Sequence, residues 1–290
     1  MKRGSGPRQV LKKIRDGAYR IVTIAEHLVW PGRPDVLPPA HLRLYYYRTL
    51  SPARFQRACD DARTELTLAG LKPEHRVLDI GSGIGNLAIG LLDYLKGGYD
   101  GVEIHKEAVA WCQQTITPRH SQFRFHRADV ASVAYNRSGQ IEPTRYRFPF
   151  PDHSFDAILL SSVFTHMLPD DVQHYLCEIA RLLTPEGFCV ASYFILNDES
   201  RADVENGRSF KSFDVKHPSG VCRLHDPDVP EAAVAYEDVY LRKCHERAGL
   251  RIRSERRGRW WSGEAHDQDV LTITPRNLAT DVEGGRSTNC

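Results

Sequence analysis

Three glycines framed by two acids are the residues of this chain whose types and spacing most clearly suggest chemistry. They lie in Arg76-Val-Leu-Asp-Ile-Gly-Ser-Gly-Ile-Gly-Asn86, which places Asp79 two residues ahead of Gly81, with Ser82, Gly83 and Gly85 following. Val77 to Ile80 has the apolar character of a buried strand end, and Leu87 to Leu95 carries apolar residues at helical spacing. Glycine permits the sharp turn between them and lets the backbone approach a ligand that a Cβ would repel. Gly98-Tyr-Asp-Gly-Val-Glu-Ile104 is predicted as a second strand, ending in Glu103. An acid about 20 residues past the glycines is placed to accept both hydroxyls of an adenosine ribose.

Two ligand classes use such a unit. The dinucleotide fingerprint, Gly-x-Gly-x-x-Gly/Ala, seats a pyrophosphate on a helix N-terminus. Here the third glycine comes one residue early, at Gly85, and Asn86 holds the last place. Asp79 is also poorly placed for a pyrophosphate, yet well placed to hold an ammonium group. S-adenosylmethionine has an ammonium and no phosphate. At this point the chain resembles the class I S-adenosylmethionine-dependent methyltransferases. Val77-Leu-Asp-Ile-Gly-Ser-Gly-Ile-Gly85 is similar to their first motif and Val102-Glu103 to their second-strand acid. The resemblance continues through Arg127-Ala-Asp129-Val130, Phe148-Pro-Phe-Pro-Asp-His-Ser-Phe-Asp156 and Glu178-Ile-Ala-Arg-Leu-Leu-Thr-Pro-Glu-Gly187. It implies S-adenosylmethionine held by Asp79, Gly81, Ser82, Gly83, Gly85, Asn86, Glu103, Ile104, Asp129, Val130 and Ser161. A carboxylate at Asp129 suits an adenine amine, with helix capping as the competing reading.

Methyl transfer to an oxygen or nitrogen requires loss of a proton, which invites a general base. His166, just past the predicted fourth strand, is the leading candidate, and a role limited to hydrogen-bonding its loop is the alternative. Asp152 and His153 are further candidates, although Pro-Asp-His-Ser also reads as a turn. His217, His225 and Tyr236 are outside candidates. The fourth strand ends in Ser161-Ser162 rather than an acid cluster, so no catalytic metal is expected. The Asn/Asp-Pro-Pro-Tyr signature of nucleobase-amine methylation is absent there. The pattern most resembles bacterial small-molecule methyltransferases, which implies O-methylation of a sugar, glycolipid or natural product. N- or C-methylation, or a non-catalytic binding protein on the same scaffold, are the alternatives. An NAD-dependent oxidoreductase is disfavoured by Asp79 and Asn86.

These residues need a framework to position them. Alternating strands and helices predict an α/β, Rossmann-like sheet of seven mostly parallel strands, covered by helices on both faces. The resemblance implies the order 3-2-1-4-5-7-6 with strand 7 antiparallel, and ligands gather at the carboxyl ends of such strands. Residues 71–196 are expected to form the cofactor-binding core and 236–275 its end. Residues 1–70 are expected as a helical N-terminal segment, 197–235 as a small β cap and 276–290 as a polar tail. Residues 131–151 form another insertion with turn chemistry, and Tyr45, Tyr46 and Tyr47 stand ahead of the first motif. Val10 to Val29 has the spacing of a basic amphipathic helix.

Composition narrows the classes. The chain has 290 residues and a net charge of +2, so no nucleic-acid partner is expected. No run approaches 18 apolar residues, so no membrane span is expected, and the N-terminal stretch lacks the apolar core of a signal peptide, so none is expected there. Seven cysteines without a C-x-x-C pair argue against zinc and for reduced thiols in a cytoplasm. A small-molecule substrate is the expected partner.

Overall fold

A computed structural model describes Ile21 and residues 36–262 and 267–276. The basic helix expected over Val10 to Val29, the first part of the Trp30–Pro39 loop and almost all of the polar tail lie outside the described residues. Ala40–Tyr47 (α1) and Pro52–Ala69 (α2) lead into Val77–Ile80 (β1), Asn86–Leu91 (α3), Tyr99–Glu103 (β2), Lys106–Thr115 (α4) and Phe123–Arg127 (β3). Phe155–Leu160 (β4), Pro169–Leu182 (α5) and Leu183–Tyr193 (β5) continue the alternation. Ile195–Leu196 (β6), Asp198–Glu205 (α6), Val215–Lys216 (β7), Cys222–Leu224 (β8) and Val234–Glu237 (β9) follow. Asp238–Arg247 (α7), Leu250–Arg256 (β10) and Asp269–Pro275 (β11) end the order.

The main sheet runs β10-β11-β5-β4-β1-β2-β3. β11 is antiparallel to β5 and β10, and β1 to β5 pair in parallel. This is the expected 3-2-1-4-5-7-6 order, with β10 and β11 in sixth and seventh place. A sheet covered on both faces needs apolar residues on both. Leu78 and Ile80 of β1 join Ile158, Leu160, Leu176 and Leu241 on one side. Val77 joins Leu87, Tyr99, Val109 and Phe123 on the other. Strand alternation sends Asp79 to the Val77 side.

Two of the motifs are joined by one ion pair. Arg181 of α5 donates to both oxygens of Glu178, at 2.8 and 2.7 Å, and to the carbonyls of Phe148 and Phe150. Glu178 also accepts from the Phe148 amide at 2.9 Å. The proline-rich approach to β4 is thereby fastened to α5. β5 begins at Leu183, four residues before the expected Gly187, because a register irregularity opposite Phe155 and Ala157 accommodates the Thr184–Gly187 stretch. α3 is shorter than expected and ends at Leu91, after which Tyr94 and Leu95 continue as a turn.

The region expected as a small β cap contains β7, β8 and β9, joined to β6 in a sheet ordered β6-β9-β8-β7. It also contains α6, which composition did not suggest. Asn197 caps α6, its side chain accepting from the Ser200 amide at 2.8 Å while Ser200 Oγ accepts from the Asn197 amide. Phe194, Phe213, Ala235 and Trp260 form a separate small core under this sheet. Cys59, Cys112, Cys189, Cys222 and Cys244 are buried free thiols.

Asp269 joins the cap to the main sheet. It is buried, and its carboxylate accepts from the amides of Ile195 and Gly258 and from Trp260 Nε1, at 2.8, 3.0 and 2.8 Å. Asp269→Ala removes the acceptor for all three. Each buried unsatisfied donor costs about 1–3 kcal/mol. Chemical denaturation is expected to show a loss of about 3 kcal/mol or more, and a loss below about 1 kcal/mol would contradict this anchoring role.

Candidate active site

β1 ends at Ile80, and the chain turns through Gly81, Gly83 and Gly85 at φ of 77°, 53° and 75°. The amides of Gly81 and Ser82 donate to the Val102 carbonyl of β2 at 2.8 and 3.1 Å. Gly83 donates its amide to Glu103 Oε2 at 2.9 Å, and Glu103 Oε1 accepts from the His105 amide at 2.8 Å. Glu103 is 8% exposed. Burial pushes its pKa up, and the amides of His105, Gly83 and Ile104 oppose that shift. One carboxylate therefore holds the glycine turn and the end of β2 in a single unit.

Gly83 meets two constraints at once. Its φ is positive, and a Cβ there would lie 3.2 Å from the Tyr46 ring. At Gly81 a Cβ would come within 2.5 Å of Val163. Tyr46 from α1 and Val163 from the turn after β4 thus pack on the loop. Of the three tyrosines, Tyr45 stacks on His105 with centroids 5.1 Å apart, Tyr46 covers the loop, and Tyr47 packs edge-on against Phe55. α1 is held there by Arg43, fully buried, which donates to the carbonyls of Pro38 and Leu50, and by His41 against Glu107 at 2.9 Å.

Asp79 accepts from the Tyr99 hydroxyl at 2.7 Å and is 3% exposed. Burial pushes its pKa up to about 7, against the Tyr99 hydrogen bond, with Glu103 adding to the rise. Ser82 Oγ is buried without a hydrogen-bond partner. Ile104 is partly buried and lines a cleft of about 440 Å³ with His105, Arg127, Tyr135 and Asn136. Asn86 opens α3 and is partly exposed. Asp129 follows β3 and pairs with Arg127 at 3.1 Å, while its carbonyl accepts from Gln140 and Ile141. No helix begins there, so capping is not its role. Val130 is buried and bridges to Ile141. Ser161 is exposed at the carboxyl end of β4, ahead of Ser162 at φ 56°.

His166 ends a short 3-10 turn, Phe164–His166, after β4. Its Nδ1 lies 2.9 Å from the Glu231 carbonyl and 3.1 Å from the Tyr135 hydroxyl. A carbonyl only accepts, so Nδ1 carries the proton and Nε2 the lone pair. Burial lowers the His166 pKa, against the backbone of Glu231. The ring is therefore neutral at pH 7. Glu231 comes from the cap and Tyr135 from the 131–151 insertion. The Glu231 carboxylate accepts from Ser132 Oγ and from the Ala134 amide, joining the two insertions directly. Sequence reasoning missed Tyr135 and Glu231 here, because the first lies in a stretch that signals only a turn and the second carries no local signal.

The alternative bases are elsewhere. Asp152 and His153 precede β4, at the opposite edge of the sheet. Asp152 pairs with Arg181 at 2.9 Å, and His153 takes φ 51° with Nδ1 on the Leu183 carbonyl. His217 bonds Ser219, and His225 bonds the Ser212 carbonyl, within cap turns. Tyr236 is fully buried and donates to the Met167 carbonyl, which supports the turn that carries His166.

The raised pKa of Asp79 has a consequence for stability. A carboxyl whose folded pKa lies above its unfolded value contributes stability at low pH that is lost as pH rises, here between about 4 and 7. Asp79→Asn keeps an acceptor for Tyr99 and removes the buried charge. Thermal unfolding is expected to show a flatter pH dependence between pH 5 and 8 for the variant, with its Tm at pH 8 at or above that of the original chain. Identical slopes would show that Asp79 does not titrate in this range.

Residues 78–191 match the model of a methyltransferase domain family. An uncharacterized methyltransferase of Bacillus subtilis, YcgJ, is 30% identical over 48% of this chain and 49% of its own length. An uncharacterized methyltransferase of Schizosaccharomyces pombe is 27% identical over 41% of this chain and 39% of its own. The chain thus spans about half or less of these curated relatives. Among solved structures, the PH0226 protein of Pyrococcus horikoshii shares the fold, with a TM-score of 0.55 at 15% identity over 81% of this chain and 96% of that one. The residues present fit S-adenosylmethionine: the turn leaves no room for side chains at Gly81 and Gly83, Glu103 offers two acceptor oxygens, and Ser82 Oγ is an orphaned buried polar atom beside them. Residues 78–191 are thus similar to a methyltransferase domain family, on a sheet whose fold is shared with a solved structure.

Proposed function

We propose that this chain transfers a methyl group from S-adenosylmethionine to a hydroxyl oxygen of a small molecule, with His166 as general base and no metal. A sugar, glycolipid or natural product is the acceptor class. The cofactor supplies a methyl group already activated by its sulfonium. The protein's tasks are then alignment, exclusion of water and removal of one proton. Glu103 and the glycine turn hold the ribose and amino-acid portions, Asp79 takes the ammonium, and Asp129 takes the adenine amine.

The observation that carries this reading is the state of His166. Its Nδ1 is held at the Glu231 carbonyl, with the Ala232 backbone also acting on the ring. A neutral imidazole oriented through one nitrogen is suited to accept a proton at the other. The turn that carries it follows β4, at the edge where ligands of such sheets gather. Oxygen acceptors need this help more than thiols, which ionise near neutral pH unaided.

Turnover is measured as S-adenosylhomocysteine formed with hydroxylated metabolites of the producing cell. His166→Ala is expected to lower it by about 10²–10⁴ while cofactor affinity holds. The rate of the variant is expected to climb at alkaline pH, where the acceptor ionises by itself. The unmodified enzyme should instead reach its plateau with a pKa below 6.5, because burial holds His166 low. A variant that keeps turnover within a small factor and the original pH profile would remove the base. EDTA is expected to leave turnover intact, and loss restored by magnesium would contradict the metal-free reading.

A further inference from the structure

Tyr135 belongs to two places at once. It lines the cleft of about 440 Å³ together with Ile104, His105 and Arg127, directly beyond Glu103. Its hydroxyl lies 3.1 Å from His166 Nδ1, and the two rings meet edge to face with centroids 5.3 Å apart. The segment that carries Tyr135 is fastened from several sides. Ser132 and Asn136 exchange backbone hydrogen bonds of 3.0 Å, and Asn136 Nδ2 donates to the Val130 carbonyl at 2.8 Å. The Tyr135 amide donates to Ser132 Oγ at 3.2 Å, and Ser132 Oγ donates to the Glu231 carboxylate. Glu231 in turn offers its carbonyl to His166. Tyr135, Ser132, Glu231 and His166 close a ring of hydrogen bonds drawn from the 131–151 insertion, the cap and the turn after β4.

The protons in that ring decide what the hydroxyl does. The Glu231 carbonyl can only accept, so Nδ1 donates. The Tyr135 oxygen then accepts from the same N–H, in a three-centre arrangement that leaves its own hydrogen uncommitted. Burial pushes the Tyr135 pKa up to about 12, so the phenol keeps that hydrogen near neutral pH. When His166 takes a proton it becomes a cation, and a second oxygen at Nδ1 stabilises that cation. A hydroxyl that donates on one side accepts more strongly on the other, and removing water strengthens both bonds. Tyr135 is 41% exposed, so a ligand in the cleft has ring to cover. Adenosine is rich in nitrogen and oxygen atoms able to take the uncommitted hydrogen.

We propose that Tyr135 is a positioning residue through which the cofactor cleft acts on the base: its oxygen shares the Nδ1 proton of His166, and does so more strongly once the adenosine end of the cofactor fills the cleft. This rests on the methyl-transfer reading and adds to it a regulation of the same site, in which the bound cofactor makes His166 a better base. The coupling is reciprocal, so protonation of His166 tightens cofactor binding by the same factor.

The test is a titration of His166 by NMR in the full chain with ¹⁵N-labelled histidine, its signals identified by their loss in His166→Gln. The original chain and Tyr135→Phe are each titrated without ligand and with S-adenosylhomocysteine at a concentration that calorimetry shows to saturate that protein. Tyr135→Phe keeps the ring and removes only the hydroxyl. Glu231 and Lys211, the charged groups that act on His166, stay in place. Without ligand, the acid dissociation constant of His166 is expected to be about threefold or more larger in the variant, the effect of one lost hydrogen bond. With S-adenosylhomocysteine bound, that ratio is expected to widen to about tenfold or more. A ratio of one without ligand would overturn the action of Tyr135 on the base. A ratio that S-adenosylhomocysteine leaves unchanged would overturn the coupling to the cleft. Failure of S-adenosylhomocysteine to bind the original chain would instead overturn the methyltransferase reading beneath the proposal. Loss of the base role would show in the turnover of His166→Ala, which this titration does not use.

Discussion

The buried carboxylate of Glu103 is the interaction on which the rest of the site depends. It spends one oxygen on the Gly83 amide and the other on the His105 amide. A carboxylate this far from water is unfavourable unless donors surround it. The glycine turn supplies one donor only because its backbone bends through positive φ and brings the Gly83 N–H against β2. The acid therefore specifies the turn, and the turn keeps the acid ionisable. Both are then in place for a ligand that offers hydroxyls to the one and a close backbone approach to the other.

A second dependence is built on this one. The parallel sheet ends in loops along one edge, and both insertions return to that edge. The 131–151 segment brings Tyr135 and Ser132, the cap brings Glu231, and they meet at His166 after β4. Tyr236 fixes the floor under that turn by donating to the Met167 carbonyl. Asp269 fixes the root of the cap to the main sheet. The His166 ring is thus oriented by groups distant in sequence, each anchored by its own hydrogen bonds.

Much of the framework was legible beforehand because it is written in local patterns. Val77 to Ile80, the glycine spacing and Glu103 are consecutive or nearly so, and the strand order follows from a topology with few alternatives. The stretch from Glu178 to Gly187 is legible as a motif, yet the ion pair of Glu178 with Arg181 and its task of fastening Phe148 and Phe150 needed the structure. Tyr135 and Glu231 were not legible as site residues. Their proximity to His166 depends on how two insertions fold back, and no periodicity records that. Asp152 and His153 misled for the opposite reason: they lie close to β4 in sequence but at its amino end, so direction along a strand decided against them. The N-terminus of β5 was misplaced because Thr-Pro-Glu-Gly signals a turn, while the sheet absorbs it as a register irregularity.

Calorimetric titration of S-adenosylhomocysteine into the original chain and Glu103→Gln tests most directly whether Glu103 and the glycine loop bind the cofactor. Removing the charge of a carboxylate that accepts ribose hydroxyls costs about 1.5–3 kcal/mol, or roughly tenfold or more in affinity. One site per chain and a drop of at least that size in the variant are expected. Equal affinity for the two proteins, or binding of NAD in place of S-adenosylhomocysteine, would contradict it.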